Sequence, residues 1–193
     1  MSVTDLDKQA LRRESLARRA AIPEDTSEQA AAALAETGLS FLDLPGAATV
    51  SGYYPFGDEL DCLPLLRRLI GEGHKIGLPV TRKGQPLIFR AWTPGTRMAR
   101  GAMGIPRPPD DAPEVTPSVL LVPLAAFDDR GYRVGYGGGF YDRTLAKLRA
   151  AGPATAVGVA FAAQRVDRVP NEPHDEPLDW ILTPEGAHRV GRG

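Results

Sequence analysis

Residues 118–161 read SVLLVPLAAFDDRGYRVGYGGGFYDRTLAKLRAAGPATAVGVAF, and the order of patterns in them decides the fold. SVLLVPLAAF (118–127) is apolar without alternation, as expected for a strand covered on both faces. RVGYGGGFYDR (133–143) follows, with four glycines that interrupt regular structure. YDRTLAKLRAAG (141–152) then sets Tyr141, Leu145 and Leu148 on one helical face. TAVGVAF (155–161) is a second continuous apolar strand. Strand, helix and strand in that order form a crossover between parallel strands.

Working outward, the same alternation recurs. Residues 47–54 read as a strand broken at Pro55 and Gly57. LDCLPLLRRLIGEG (60–73) is a helix with Leu60, Leu63, Leu66 and Ile70 on one face, stopped by Gly71 and Gly73. Pro64 is tolerated only in a first turn, which puts the helix start between Leu60 and Leu63. HKIGLPV (74–80) and PLIFRAW (86–92) are strands joined by the hairpin connection TRKGQ. Residues 93–117 carry six of the chain's 18 prolines, so they read as irregular surface. Residues 166–186 read as loop, with a short strand at WILT (180–183). At the N-terminal end, residues 6–21 form a helix capped by Thr4 or Asp5 and stopped near Pro23. A second helix runs from Ser27 to Gly38. The expected fold is one α/β domain over residues 1–193, a three-layer sandwich with a mostly parallel sheet and helices on both faces.

Composition narrows the function classes. The formal net charge is -1, so no global field draws the chain to nucleic acid or to an anionic membrane. No apolar run approaches the roughly 20 residues needed to span a bilayer, and the N-terminal charges precede no apolar signal segment. The single cysteine, Cys62, permits neither an intramolecular disulfide nor a cysteine metal cluster. A cytoplasmic, monomeric protein acting on small molecules is expected, with no nucleic-acid or membrane partner.

The glycine segment lies between a buried strand and a helix, where backbone N–H groups can face an anion. It fits neither common phosphate fingerprint. A Walker loop requires Lys and Ser/Thr after its last glycine, and here Gly139 precedes Phe140 and Tyr141. The dinucleotide motif needs a small residue where Phe140 stands. Arg133 adds a forked cation, while Tyr136, Phe140 and Tyr141 offer flat faces. Asp142 either complements the helix dipole or meets a Mg²⁺ travelling with phosphate. Lys8 and Arg12, four apart, form either a solvated basic face or a pair aimed at an anion, at a cost of a few tenths of a kcal/mol in repulsion. In NEPHDEPLD (171–179), Asp175 and Asp179 either hold a hard cation through oxygen or belong to a plain acidic surface loop. His174 has no His or Cys companion for zinc. Glu59 reads by default as a first-turn acid.

Together these segments resemble the 5-formyltetrahydrofolate cyclo-ligase family. The resemblance rests on KQALR (8–12), YYPFGDELD (53–61), GIPRP (104–108), VPLAAFDDRGYRVGYGGGFYDR (122–143) and VPNEPHDEPLD (169–179). It implies an α/β layered fold and a reaction in which ATP, with Mg²⁺, drives closure of 5-formyltetrahydrofolate, with or without a polyglutamate tail, to 5,10-methenyltetrahydrofolate. It further implies that Lys8, Arg12, Arg133, Val134, Gly135, Tyr136, Gly137, Gly138, Gly139, Phe140 and Tyr141 hold ATP. Lys8, Arg12 and Arg133 would stabilise phosphoryl charge with no protein nucleophile. Tyr54, Glu59, Tyr136, Gly137, Gly138 and Phe140 would line the folate site, and Asp142 and Asp175 would serve the metal. Some members carry basic residues where this chain has Tyr136 and Gly138, which places more of the positive charge on the first helix. A non-catalytic folate or nucleotide sensor, and a sugar-phosphate isomerase or CoA-transferase-like enzyme, remain alternatives on the same architecture.

Overall fold

The computed structural model describes residues 3–44 and 46–191, with the side chains of residues 3–5 outside that set. Helices α1 (Val3–Ala20) and α2 (Glu24–Thr37) lead into strand β1 (Thr49–Ser51), helix α3 (Leu63–Gly71) and the hairpin of β2 (Lys75–Val80) and β3 (Ile88–Ala91). Short strands β4 (Ala99–Arg100), β5 (Pro106–Arg107) and β6 (Glu114–Val115) precede the central strand β7 (Val119–Pro123). Next come β8 (Ala126–Phe127), β9 (Arg133–Val134), helix α4 (Phe140–Ala151), β10 (Thr155–Val159), β11 (Trp180–Thr183) and β12 (Gly186–Arg189).

Eight strands form one sheet in the order β12-β11-β10-β7-β1-β2-β3-β6. The five from β11 to β2 are parallel, and the strands added at either edge are antiparallel. Alternate residues of each central strand feed opposite faces. Val119 and Leu121 of β7 and Val157 and Val159 of β10 pack with Leu34 of α2 and Leu66 and Leu69 of α3. Leu120, Val122 and Ala156 pack with Leu145 of α4 on the other face. This is the three-layer α/β sandwich with a mostly parallel sheet that the apolar pattern requires. Tyr141, Leu145 and Leu148 all pack inward, and Pro64 sits in the first turn of α3.

The chain runs from β1 to β2 on one side and from β7 to β10 on the other. The neighbours β1 and β7 therefore mark a topological switch point, and a crevice opens beyond their carboxyl ends. Helix α1 stands apart from the two main core clusters. Its Leu11 packs on Ala126, Val134 and Val169, over the β8–β9 pair.

Several expectations need correction. SVLLVPLAAF is not one strand: β7 ends at Pro123, whose ring removes a ladder donor. The chain then turns through Leu124 and Ala125, and β8 pairs with β9 in a separate small sheet. The proline-rich segment 93–117 is not wholly irregular, since β4 pairs β5 and β6 edges the main sheet. The C-terminal region holds a second strand, β12, pairing antiparallel with β11. Helix α2 starts at Glu24 because Pro23, with φ -61, occupies its cap position and two acids fill the first turn. Helix α1 already contains Thr4 and Asp5, so neither stands outside it as a cap.

Candidate functional site

A cavity of about 580 Å³ opens at the switch point. Tyr53 and Tyr54 enter it from the end of β1, Pro123 from the end of β7, and the glycine loop from below α4. Helix α1 closes one side with Lys8 and Arg12, and the 172–175 loop closes another. Lys8, Arg12, Tyr54, Glu59, Arg133 through Asp142, and Asp175 all line this one space, whereas Asp179 of the acidic segment lies outside it, ion-paired with Arg149.

The loop geometry follows from its glycines. Gly137 has φ +89 and Gly139 has φ +60, a region costly for residues bearing a Cβ. A Cβ on Gly137 would also lie 3.2 Å from the Arg12 guanidinium. Arg12 in turn donates from Nε to the Gly135 carbonyl at 2.5 Å, so helix and loop hold one another. Arg143 donates to Gly138 O at 2.8 Å and stacks its guanidinium over the Phe140 ring. Gly139 is the cap of α4, so the helix N-terminus faces the cavity.

The charged residues form two paired groups. Lys8 Nζ lies 2.5 Å from Asp175 Oδ2 and 3.4 Å from Glu172 Oε2. Arg133 Nη2 donates to Asp142 Oδ1 at 2.7 Å, and the same oxygen accepts the Glu176 N–H at 3.2 Å. Asp142 therefore anchors the 172–176 loop to α4. Asp175 converges with Glu172 and His174, whose ligand atoms all lie within 4.8 Å of one another. His174 is 73% exposed and flanks this group from the solvent side.

The opposite wall is aromatic and carries a buried acid. Tyr136 meets Phe56 edge-on, with ring centroids 6.0 Å apart. Glu59 accepts the Phe56 N–H at 2.9 Å. Burial pushes its carboxyl above the usual carboxylate range, against the pull of that N–H, of Arg19 and of the Tyr136 hydroxyl. Burial likewise raises the phenol of Tyr141, whose hydroxyl finds no hydrogen-bond partner among the described residues. Tyr53 donates to Leu60 O at 2.6 Å, and the Cys62 thiol donates to Tyr53 O at 3.3 Å, so both shape the wall from behind.

Sequence reasoning missed Phe56, Glu172, Met103 of the proline-rich segment, and Arg19. A signal for Arg19 existed. Lys8, Arg12, Ser15 and Arg19 recur at i, i+4, i+7 and i+11, one stripe of a helix. Ser15 and Arg19 are buried while Leu6 is 51% exposed. The inward face of α1 is thus polar, which marks it as a site-bearing helix.

Residues 4–184 match the model of the 5-formyltetrahydrofolate cyclo-ligase family. The 5-formyltetrahydrofolate cyclo-ligase of Escherichia coli K12 is 35% identical over 173 residues, covering 86% of this chain and 94% of that protein. The one from Mycolicibacterium smegmatis is 37% identical over 187 residues, covering 92% and 94%. Among solved structures, the Aquifex aeolicus 5,10-methenyltetrahydrofolate synthetase superposes with a TM-score of 0.78 at 27% identity, over 96% of this chain and 94% of that one.

Proposed function

This chain belongs to the 5-formyltetrahydrofolate cyclo-ligase family, a family of ligases, and from that premise we propose that it closes 5-formyltetrahydrofolate to 5,10-methenyltetrahydrofolate, using ATP and Mg²⁺ and releasing ADP and phosphate. The observation that carries this reading is the convergence of a glycine loop, a basic helix face, an acidic loop and an aromatic wall on one cavity.

An N-formyl group is an amide, with a weakly electrophilic carbon and an oxygen that leaves poorly. Transfer of the γ-phosphoryl group of ATP to that oxygen forms a P–O bond and releases ADP. N10 of the folate then attacks the formyl carbon, the C–O bond breaks, phosphate departs and the N10 proton is released. The nucleophile belongs to the substrate, so the protein's work is positioning and neutralisation of phosphoryl charge. Arg12, Lys8 and Arg133 supply the positive charge. The backbone of 135–139 and the α4 N-terminus supply N–H donors. Tyr54, Phe56 and Tyr136 supply flat faces for the pterin and aminobenzoyl rings, and Glu59 supplies an acceptor for a ring N–H.

Carboxylate oxygens suit a hard cation, and the convergence of Glu172 with Asp175 fits Mg²⁺. Asp175 and Asp142 would hold it, with Glu172 beside them, and it would neutralise phosphate charge. Lys8 occupies Asp175 in this structure; released from that carboxylate, it reaches toward phosphate.

The decisive experiment follows the near-ultraviolet absorbance of the methenyl product from 5-formyltetrahydrofolate, with and without ATP and Mg²⁺. Growth of the band only with both supports the reading. Folded protein that yields no product under those conditions refutes it.

A further inference from the structure

The turn DDRG (128–131), between β8 and β9, lines no part of the cavity, and none of the phosphate, folate or metal contacts above uses it. Asp128 is nevertheless fully buried and densely bonded. Its Oδ1 accepts the backbone N–H groups of Arg130 and Tyr132 at 3.0 and 3.1 Å. Its Oδ2 accepts the Val169 N–H at 2.9 Å, together with Arg130 Nε at 3.0 Å and Nη2 at 2.7 Å. Every one of these neighbours donates, so the position demands a group that only accepts. Arg130 lies over the Tyr132 ring, 4.9 Å from its centroid. From there it reaches Val169 O at 2.8 Å and Asn171 Oδ1 at 3.2 Å.

The far end of the same turn grips the far end of the acidic loop. Gly131 O accepts the Leu178 N–H at 2.9 Å. Gly131 has φ +83, and a Cβ on it would lie 2.6 Å from the Leu178 carbonyl oxygen. One turn thus holds residues 169–171 and 178, and the chain between them leaves and returns as a closed loop. Glu172 and Asp175 are carried on that loop. Between the two grips it meets Lys8, Arg133 and Asp142. Lys8 and Asp142 are groups that phosphate and cation would engage, so their contacts with the loop change when ligands arrive. The turn touches neither ligand. Burying a carboxylate offsets much of what its pairing returns, so stability is a weak account of the Asp128–Arg130 pair, and placement of the loop is the stronger one.

We propose that Asp128 and Arg130 are positioning residues for the divalent cation: acting through Val169 and Asn171, they keep the Glu172 and Asp175 carboxylates converged when Lys8 leaves them. The proposal rests on the Mg²⁺ reading of those carboxylates given above.

The test compares wild type with Arg130→Met, Asn171→Ala and, as a control weakened in the core, Leu121→Ala. Mg²⁺ affinity is measured by calorimetry without nucleotide, and amide hydrogen exchange of residues 170–177 is followed without metal. Arg130→Met leaves Asp128 its backbone donors and weakens Mg²⁺ binding about tenfold, as for loss of a group that orients a metal ligand. Amides of 170–177 lose protection while those of α4 and β10 keep theirs. KM for ATP at limiting Mg²⁺ rises in step, whereas KM for 5-formyltetrahydrofolate at saturating ATP and Mg²⁺ stays within about twofold. Asn171→Ala moves the same readouts in the same direction by less, and Leu121→Ala keeps wild-type Mg²⁺ affinity. Mg²⁺ affinities that match wild type in both Arg130→Met and Asn171→Ala overturn the proposal, whatever the exchange shows. Equal weakening in Leu121→Ala also overturns it, because the effect is then one of stability. Asn171→Ala removes a single acceptor, so it decides the matter if Arg130→Met fails to fold. If wild type itself binds no Mg²⁺ and makes methenyl product without it, the metal reading fails instead, and the exchange of 170–177 still decides whether the turn holds the loop.

Discussion

Two residues show how the site trades charge between its own groups. Lys8 sits on Asp175 and Glu172, where it would compete with the divalent cation proposed above. Lys8→Met is therefore expected to tighten nucleotide-free Mg²⁺ binding, measured by calorimetry, by about tenfold, the order expected for one unit charge at this separation. The same variant should raise KM for ATP, because the phosphate loses a cation. Unchanged Mg²⁺ affinity would detach the 172–175 carboxylates from the metal. Glu59 makes a stability prediction of its own. Its folded-state carboxyl titrates above the unfolded one. Keeping it ionised therefore destabilises the fold above the folded midpoint, and that penalty disappears as pH falls below the ordinary carboxylate range. Glu59→Gln should raise the melting temperature by a few degrees near pH 7.5 and leave it unchanged near pH 4. An equal rise at both values would assign the effect to packing.

At the scale of elements, the glycine loop and α1 form one unit, because Arg12 clasps Gly135 and lies against Gly137. Gly137→Ala places a Cβ in the left-handed region, at about 1–2 kcal/mol, and pushes on that guanidinium. KM for ATP is expected to rise about tenfold, the equivalent of that strain, with binding of 5-formyltetrahydrofolate, followed by fluorescence without ATP, much less affected. Equal loss of both ligands would mean that the loop collapses rather than shifts. The elements also show what a sequence displays and what it hides. β7, α4 and β10 were legible because long apolar runs have few structural readings, and the strand-to-helix glycine loop then located the crevice. β8, β9 and β12 were not: β8 merged with the β7 run, and β9 and β12 carry no apolar run to detect. The place of Arg19 on the Lys8–Arg12–Ser15 stripe was visible, but its burial was not. A buried arginine and a solvated one have the same letter, and only the seating of α1 on Leu11 turns that face inward.

For the whole molecule, the two faces of one sheet divide the work. One carries the larger apolar cluster under α2 and α3, which reaches the cavity through Tyr53 and Tyr54. Leu121, fully buried there, is a suitable probe: Leu121→Ala is expected to cost about 2–5 kcal/mol. For a chain of this size that corresponds to a fall in melting temperature of roughly 6–15 °C. KM values should stay near wild type at a temperature where the variant remains folded. A selective change in KM for ATP alone would show that this face and the site are coupled. The crevice was foreseeable from strand order alone, since reversal of the winding between β1 and β7 fixes where carboxyl ends diverge. The identity of its lid was not, because α1 reaches the cavity through contacts distant in sequence.

The Lys8–Asp175 contact spans 167 positions of the chain. During synthesis, the ammonium leaves the ribosome long before its carboxylate partner exists. The crossover strands can pair and the glycine loop can close in the meantime, yet the acidic wall that faces α1 is still missing. A nascent chain released before the 171–179 segment would present α1 with Lys8 unpaired and hold no complete crevice. Competence in this protein therefore waits for the 171–179 segment and is reached only when that segment folds back on α1.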